Sequence, residues 1–130
     1  MAKVVVTFAV VAIVVGALAN TGSAEFDAGQ FEYRMGCAAC HGVDGKGMGP
    51  VGALFGKPPA DLTVLSKRNN GVFPFNSVYE VIDGRKLIIA HGTRDMPIWG
   101  PVLSGQGQNR NIGEQRLQAL LAYLEQIQAK

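Results

Sequence analysis

The run Cys37-Ala38-Ala39-Cys40-His41 carries the strongest chemical signal in the sequence. Two cysteines separated by two residues and followed at once by a histidine form the signature of covalent haem attachment. The two thiols add to the two vinyl groups of one haem, and the adjacent imidazole is thereby directed at the iron. The run therefore predicts one haem c, bound covalently through Cys37 and Cys40, with His41 as an axial ligand.

Three other interpretations of the two cysteines fit the sequence less well. A thioredoxin-like redox pair would need a strand before it and a long helix after it, whereas six glycines fall between Gly42 and Gly56. A structural zinc site needs four ligands, and the chain has only two cysteines and one further histidine, His91. A disulfide across two intervening residues would close too small a loop to stabilise the fold much.

The second axial position matters because an iron with both positions filled transfers electrons, whereas an open position binds small molecules. Met35 and Met48 lie too close to the cysteine run in sequence to reach the far haem face. Met96 follows the histidine of that run by 55 residues, and Pro97 biases it to an extended backbone. We therefore predict Met96 as the sixth ligand, with His91 or an open or water-bound iron as the alternatives.

The N-terminal residues 1–24 are typical of an export signal. Lys3 precedes an apolar stretch of sixteen residues, 4–19, and small residues before Glu25 suit cleavage there. The alternative is a retained membrane anchor, although sixteen helical residues cover only about 24 Å of a hydrocarbon core of about 30 Å. Either way, residues 25–130 are expected to form one exported, periplasmic domain, which is soluble or anchored to the membrane.

Composition limits the chain to one small domain with a modest core. The 130 residues are 48% hydrophobic but only 8% aromatic, and 17 of them are glycine, so a bound cofactor is expected to complete the core. The formal net charge is +2, from 12 basic and 10 acidic residues. This charge balance gives no sign of nucleic-acid binding.

Helical signals occur in three places, and no convincing alternating strand pattern occurs anywhere. Asp27 is a candidate N-cap for a helix from Ala28 to about Met35, with Gly36 as its stop. Ser77 and Glu80 form a capping-box pattern for a short helix that Gly84 would end. From Gly113 onward, apolar residues recur at helical spacing over about fifteen residues and predict a stripe that packs on the first helix: Leu117, Leu120, Leu121, Leu124 and Ile127.

The chain from about Phe26 to Lys130 resembles the class I mono-haem cytochromes c of the mitochondrial and bacterial type, with His and Met axial ligands. The matching pieces are Gly29, Tyr33 and Cys37 at intervals of four, the haem-attachment run, Gly49-Pro50, Leu54-Phe55-Gly56-Lys57, Met96-Pro97 and Leu120-Leu121-Ala122-Tyr123-Leu124. The resemblance implies an all-α fold of three to five helices and long loops wrapped around one haem c. It further implies that Gly29 allows a close helix crossing and that the Pro50 carbonyl accepts the proton of the proximal histidine.

The function implied is one-electron transfer between periplasmic or membrane redox partners, by transient docking at the haem edge and without bond-making chemistry. Trp99 is expected to shield the methionine side of the haem from water, to lie at the edge where electrons enter, or simply to pack beside the loop. Several basic residues could contact a redox partner or pair with a haem propionate, or they could simply form a solvent-exposed surface. These residues are Lys57, Lys67, Arg85, Lys86 and Arg94. Two alternatives remain. The first is a membrane-anchored haem c subunit of a respiratory or dehydrogenase complex. The second is a haem enzyme or sensor that binds a small molecule, which the sequence favours less because it has no cluster of polar residues suited to the distal side of the haem.

Overall fold

The computed structural model describes residues 21–85 and 96–129. These residues contain no strand and form six α-helical segments, so the all-α prediction is confirmed for the part of the chain described. Only three of the six exceed a single turn. The segments are α1 (Thr21–Gly36), α2 (Ala38–His41), α3 (Leu65–Arg68), α4 (Phe75–Asp83), α5 (Gly100–Leu103) and α6 (Arg110–Gln126), with 3-10 helices at Gly52–Leu54 and Leu62–Val64.

The two long helices, α1 and α6, cross at a glycine. A Cβ atom on Gly29 would lie 2.1 Å from the carbonyl oxygen of Ala119, so only glycine permits the observed approach of the backbones. Beside this crossing, Tyr33 is fully buried and its ring lies 5.3 Å from that of Tyr123. The expectation of a close crossing at Gly29 is confirmed.

The leucine stripe of α6 forms the centre of the core. Four of the five predicted positions are buried, and Ile127 at the end of the stripe is half-buried against the core. Burial of each leucine contributes roughly 1.5–3 kcal/mol from the removal of apolar surface from water. The helical periodicity therefore located the core face of α6 correctly.

The predicted helix starts differ from the observed ones, whereas the predicted stops at glycine are confirmed. Helix α1 begins at Thr21 and runs through Asp27, so Asp27 is not its N-cap. Helix α4 begins at Phe75, after Pro74, and Ser77 lies inside it without a capping hydrogen bond. A polar residue acts as an N-cap only where it stands at the start of a helix. Asp27 and Ser77 each follow residues that are already helical, so neither occupies that position.

The last helix also starts earlier than expected, and here a different cap explains the start. The Asn109 side chain accepts a hydrogen bond from the backbone N–H of Ile112 at 3.1 Å, so α6 begins at Arg110 rather than at Gly113. Gly113 instead allows α6 to pack closely against Ser104, because a Cβ atom on residue 113 would lie 2.6 Å from the Cβ of Ser104. The stops at Gly36 and Gly84 are confirmed, and Gly84 has a left-handed φ of 90°.

A bidentate ion pair joins the two long helices near the end of α1. Arg116 donates from Nε and Nη2 to the two carboxylate oxygens of Glu32 at 2.7 and 2.8 Å, and from Nη1 to the carbonyl of Leu103 at 2.8 Å. The Glu32 side chain is only 11% exposed. The Arg116 guanidinium therefore connects α1, α5 and α6 through three hydrogen bonds.

Arg116→Met is expected to lower the free energy of unfolding by about 2 kcal/mol, because it leaves a mostly buried carboxylate without its donors. Urea denaturation of the haem-loaded protein, followed by circular dichroism, measures this loss. Arg34→Met is the matched control, since Arg34 is exposed on α1. Equal stabilities for the two variants would show that the ion pair contributes nothing beyond a surface charge.

Candidate functional site: the CxxCH segment and its surroundings

The cysteine run lies where α1 passes into α2. The backbone N–H of Cys37 donates to the Tyr33 carbonyl at 2.8 Å, and the N–H of His41 donates to the Cys37 carbonyl at 2.8 Å. Because residues three and four apart share a helix face, Cys37, Cys40 and His41 present their side chains on one side of this turn. This is the arrangement needed to hold one planar group by two thiols and one imidazole.

Both cysteines are free thiols. Cys37 is buried, and burial, with smaller contributions from Cys40 and Glu32, raises the pKa of its thiol to about 12. In the described ranges, no group of three or more His, Cys, Asp or Glu residues is arranged to hold a metal ion. The two cysteines thus form no disulfide in this structure, and the described residues do not assemble the ligand set that zinc would need.

The imidazole of His41 is oriented by a backbone carbonyl. Its Nδ1 lies 2.9 Å from the carbonyl oxygen of Ala60. With the ring proton on Nδ1 donated to that carbonyl, Nε2 carries the lone pair and is the ring nitrogen available to a metal. In this structure the partner of Nδ1 is therefore the Ala60 carbonyl, which no sequence signal pointed to, and the role expected for the Pro50 carbonyl stays a prediction.

The course of the glycine-rich loop explains how Ala60 comes to lie beside His41. The N–H groups of Gly47, Gly49 and Val51 donate to the carbonyls of His41, Cys40 and Ala39 at 2.7, 3.1 and 2.9 Å. The loop that carries Pro50 is thus bonded along the backbone of α2. The chain then returns beside the loop at Pro59, whose carbonyl oxygen would lie 2.3 Å from a Cβ on Gly47. The next carbonyl along the chain, that of Ala60, is the one that meets the imidazole.

The loop fits against α2 only because its glycines lack side chains. A Cβ atom on Gly49 would lie 2.4 Å from the Ala39 carbonyl oxygen, and one on Gly52 would lie 2.4 Å from the Cys40 carbonyl oxygen. Tyr33 secures the start of the loop by donating its hydroxyl to the Gly42 carbonyl at 2.6 Å. The glycine richness of this segment therefore serves close backbone packing around the cysteine run.

The segment that follows Met96 is docked onto the end of α4. The N–H of Trp99 donates to the Ile82 carbonyl at 2.9 Å, and a Cβ atom on Gly84 would lie 2.4 Å from the Ile98 side chain. Met96 itself is half-buried and packs against the core. Residues 86–95, which hold the alternative ligand His91, lie outside the described residues.

The Trp99 ring brings this segment to the first cysteine. A Cβ atom on Gly36 would lie 3.0 Å from Cζ3 of Trp99, and Gly36 directly precedes Cys37. Trp99 and Cys37 also line one cavity of about 170 Å³, together with Leu103 and Leu120. The tertiary structure thus places Trp99 beside the start of the cysteine run, although the two are far apart in sequence.

The basic side chains considered as partner or propionate contacts differ in their interactions within the structure. Arg85 pairs with Asp83 and lies 5.3 Å from the centre of the Tyr79 ring, so its guanidinium is held on the α4 surface. Lys57 and Lys67 are exposed. Lys86 and Arg94 lie outside the described residues.

Several apolar side chains of the glycine-rich loop and of the segment after Met96 are exposed. Leu54 is 82% exposed, and Val51, Phe55 and Ile98 are exposed as well. Contact of such side chains with an apolar group would remove their surface from water. With two thiols and one oriented imidazole in the chain that precedes the loop, the residues present fit a covalently bound haem.

A helical domain of this size with a CxxCH turn is a c-type cytochrome. Residues 24–124 match the family model described as cytochrome c oxidase, cbb3-type, subunit III, and the chain belongs to this cytochrome c family. A comparison with curated proteins and one with solved structures found no match.

Membership in this family makes the chain a one-electron carrier with one covalently attached haem c. Cys37 and Cys40 fit the attachment motif. A cytochrome c domain also indicates an exported or membrane-associated protein that exchanges electrons with other redox proteins. None of the described helices combines the length and the apolar character needed to cross a membrane.

Proposed function

We propose that the protein carries electrons and that His41 Nε2 and the Met96 sulfur would be the two protein ligands of the iron once haem c is bound. The observation that carries this proposal is the hydrogen bond from His41 Nδ1 to the Ala60 carbonyl, which leaves Nε2 free to bind a metal. The packing of Trp99 beside Gly36 and Cys37, three residues after Met96, supports Met96 as the second ligand. Bound haem c supplies a one-electron couple between ferric and ferrous iron.

The other residues of the site would position the haem ligands and shield the haem from water. The Ala60 carbonyl fixes the plane of the His41 ring and strengthens its nitrogen as a donor. The neutral thioether of Met96 favours the ferrous state, as does burial of the charged ferric centre. Among the described residues, the carboxylate that lines the cavity beside Cys37 is that of Glu32, and it is paired with Arg116. We therefore propose that the protein performs no bond-making chemistry.

Covalent attachment is the first test of the proposed site. The haem-loaded protein, denatured and separated from free haem, should keep its colour and carry about 616 Da of added mass, the mass of one haem. Cys37→Ala is expected to lower the yield of coloured protein severalfold and to leave attachment through Cys40 alone. A colourless chain that retains a Cys37–Cys40 disulfide would contradict the proposal.

We further propose that residues 1–24 direct export and that residues 25–130 form the cytochrome domain in the periplasm. Docking of redox partners is proposed at the haem edge beside Trp99, through a small transient interface. The family description favours a second candidate, in which residues 4–19 stay as an anchor and the chain is a subunit of a larger oxidase. Mass spectrometry of the N-terminus of protein from the membrane and soluble fractions distinguishes these candidates, because only the anchored form keeps Lys3.

A further inference from the structure

One side chain near the C-terminus, Gln128, makes three hydrogen bonds to the backbone. Its Oε1 accepts from the N–H of Ser66 at 2.9 Å, and its Nε2 donates to the carbonyls of Leu62 and Leu124, both at 2.7 Å. These backbone groups lie at the ends of helices, where no partner exists within the helix itself. The Gln128 amide therefore joins the last turn of α6 to the segment of residues 62–66.

The segment that Gln128 holds begins two residues after Ala60, whose carbonyl contacts the imidazole. Ala60 precedes Asp61, whose side chain accepts from the Thr63 N–H at 2.8 Å and so starts the 3-10 helix Leu62–Val64. The N–H of Ala129 donates to the Thr63 carbonyl at 2.7 Å. The C-terminal tail thus lies along the residues that follow Ala60 and fixes them by hydrogen bonds from two adjacent positions.

The same segment also contacts the loop of the cysteine run. The N–H of Leu62 donates to the Gly45 carbonyl at 2.7 Å, while the carbonyl of Leu62 accepts from Gln128. Leu62 is therefore held between the loop that follows His41 and the C-terminal tail. A shift of the tail would change the position of Leu62 and, two residues earlier, that of the Ala60 carbonyl.

We propose that Gln128 is a positioning residue for the axial histidine, acting through Leu62 to hold the Ala60 carbonyl on His41 Nδ1. This inference rests on the proposed function in that His41 is taken as an iron ligand. A carbonyl that accepts the Nδ1 proton makes the imidazole a stronger donor, and a stronger donor favours the ferric state. A loosened C-terminal tail therefore shifts the protein toward the ferrous state.

The test compares full-length, haem-loaded wild type with Gln128→Met, which keeps the size of the side chain and removes all three hydrogen bonds. The exchange of the His41 Nδ1 proton with solvent, followed by NMR of the reduced protein, is expected to become about tenfold faster. The equilibrium constant for reduction by a fixed redox mediator is expected to rise about threefold. Gln126→Met, at the exposed last residue of α6, is the control and should change neither quantity.

Gln128→Ala removes the same three hydrogen bonds with a shorter side chain and adds no charge. It should change the exchange rate and the reduction equilibrium in the same direction as Gln128→Met, and it provides the test if Gln128→Met does not fold. Lowered stability in both variants with unchanged proton exchange and unchanged reduction would overturn the inference alone. A wild-type spectrum without histidine ligation would overturn the proposed function, and the inference with it, before any variant is compared.

Discussion

Met96→Ala is expected to abolish the weak near-infrared charge-transfer band that sulfur ligation gives ferric haem. The replacement ligand would be water or a nitrogen, which favours the ferric state more than a thioether does, so the potential should fall by an amount on the order of 0.2 V. The variant should also bind added imidazole or cyanide at a position that the wild type keeps closed. Optical spectroscopy and a redox titration of the haem-loaded protein measure these three effects.

Two controls make this result specific to Met96. Met48 lies in the glycine-rich loop and is 81% exposed, so Met48→Ala should leave the band and the potential unchanged. His91→Ala should also leave the band in place. If the wild type lacks the band and His91→Ala turns the iron from low-spin to high-spin, then His91 is the ligand and the protein is a lower-potential carrier than proposed.

Gly29→Ala is expected to lower the free energy of unfolding by about 3 kcal/mol. The added Cβ would lie 2.1 Å from the Ala119 carbonyl oxygen, and a backbone atom cannot move aside as a flexible side chain can. The two long helices would have to separate, which would also loosen the contact of Tyr33 with Tyr123. Denaturant unfolding of the haem-loaded protein, followed by circular dichroism and haem absorbance, provides the measurement.

Gly56→Ala is the matched substitution for this experiment. A Cβ atom on Gly56 would have no neighbour within 4 Å, so the same added methyl group should leave stability nearly unchanged. A similar loss of stability in both variants would mean that the effect comes from glycine replacement in general. The helix crossing at Gly29 would then not be the cause.

Local sequence signals identified the parts of this protein that depend on residue type and spacing. The haem-attachment run Cys37–His41 is such a case, because thioether formation needs two cysteines at one separation whatever surrounds them. Helix stops at Gly36 and Gly84 were also predictable, since glycine readily adopts the conformations that end a helix. Helix starts at Asp27 and Ser77 were wrong, because a cap residue is compatible with a helix interior when the preceding residues are already helical.

The sequence by itself determined the class of cofactor, the all-α character of the described residues and the apolar face of the last helix, because covalent chemistry and helical periodicity are local properties. Only the tertiary structure decided which backbone carbonyl meets His41, since every residue has a carbonyl and no side-chain type marks the one that Ala60 supplies. The contact of the Trp99 ring with Gly36 and the hydrogen bonds of Gln128 to residues 62 and 66 could not be predicted from the sequence either. They join positions more than sixty residues apart, and such pairings depend on how the chain folds back on itself.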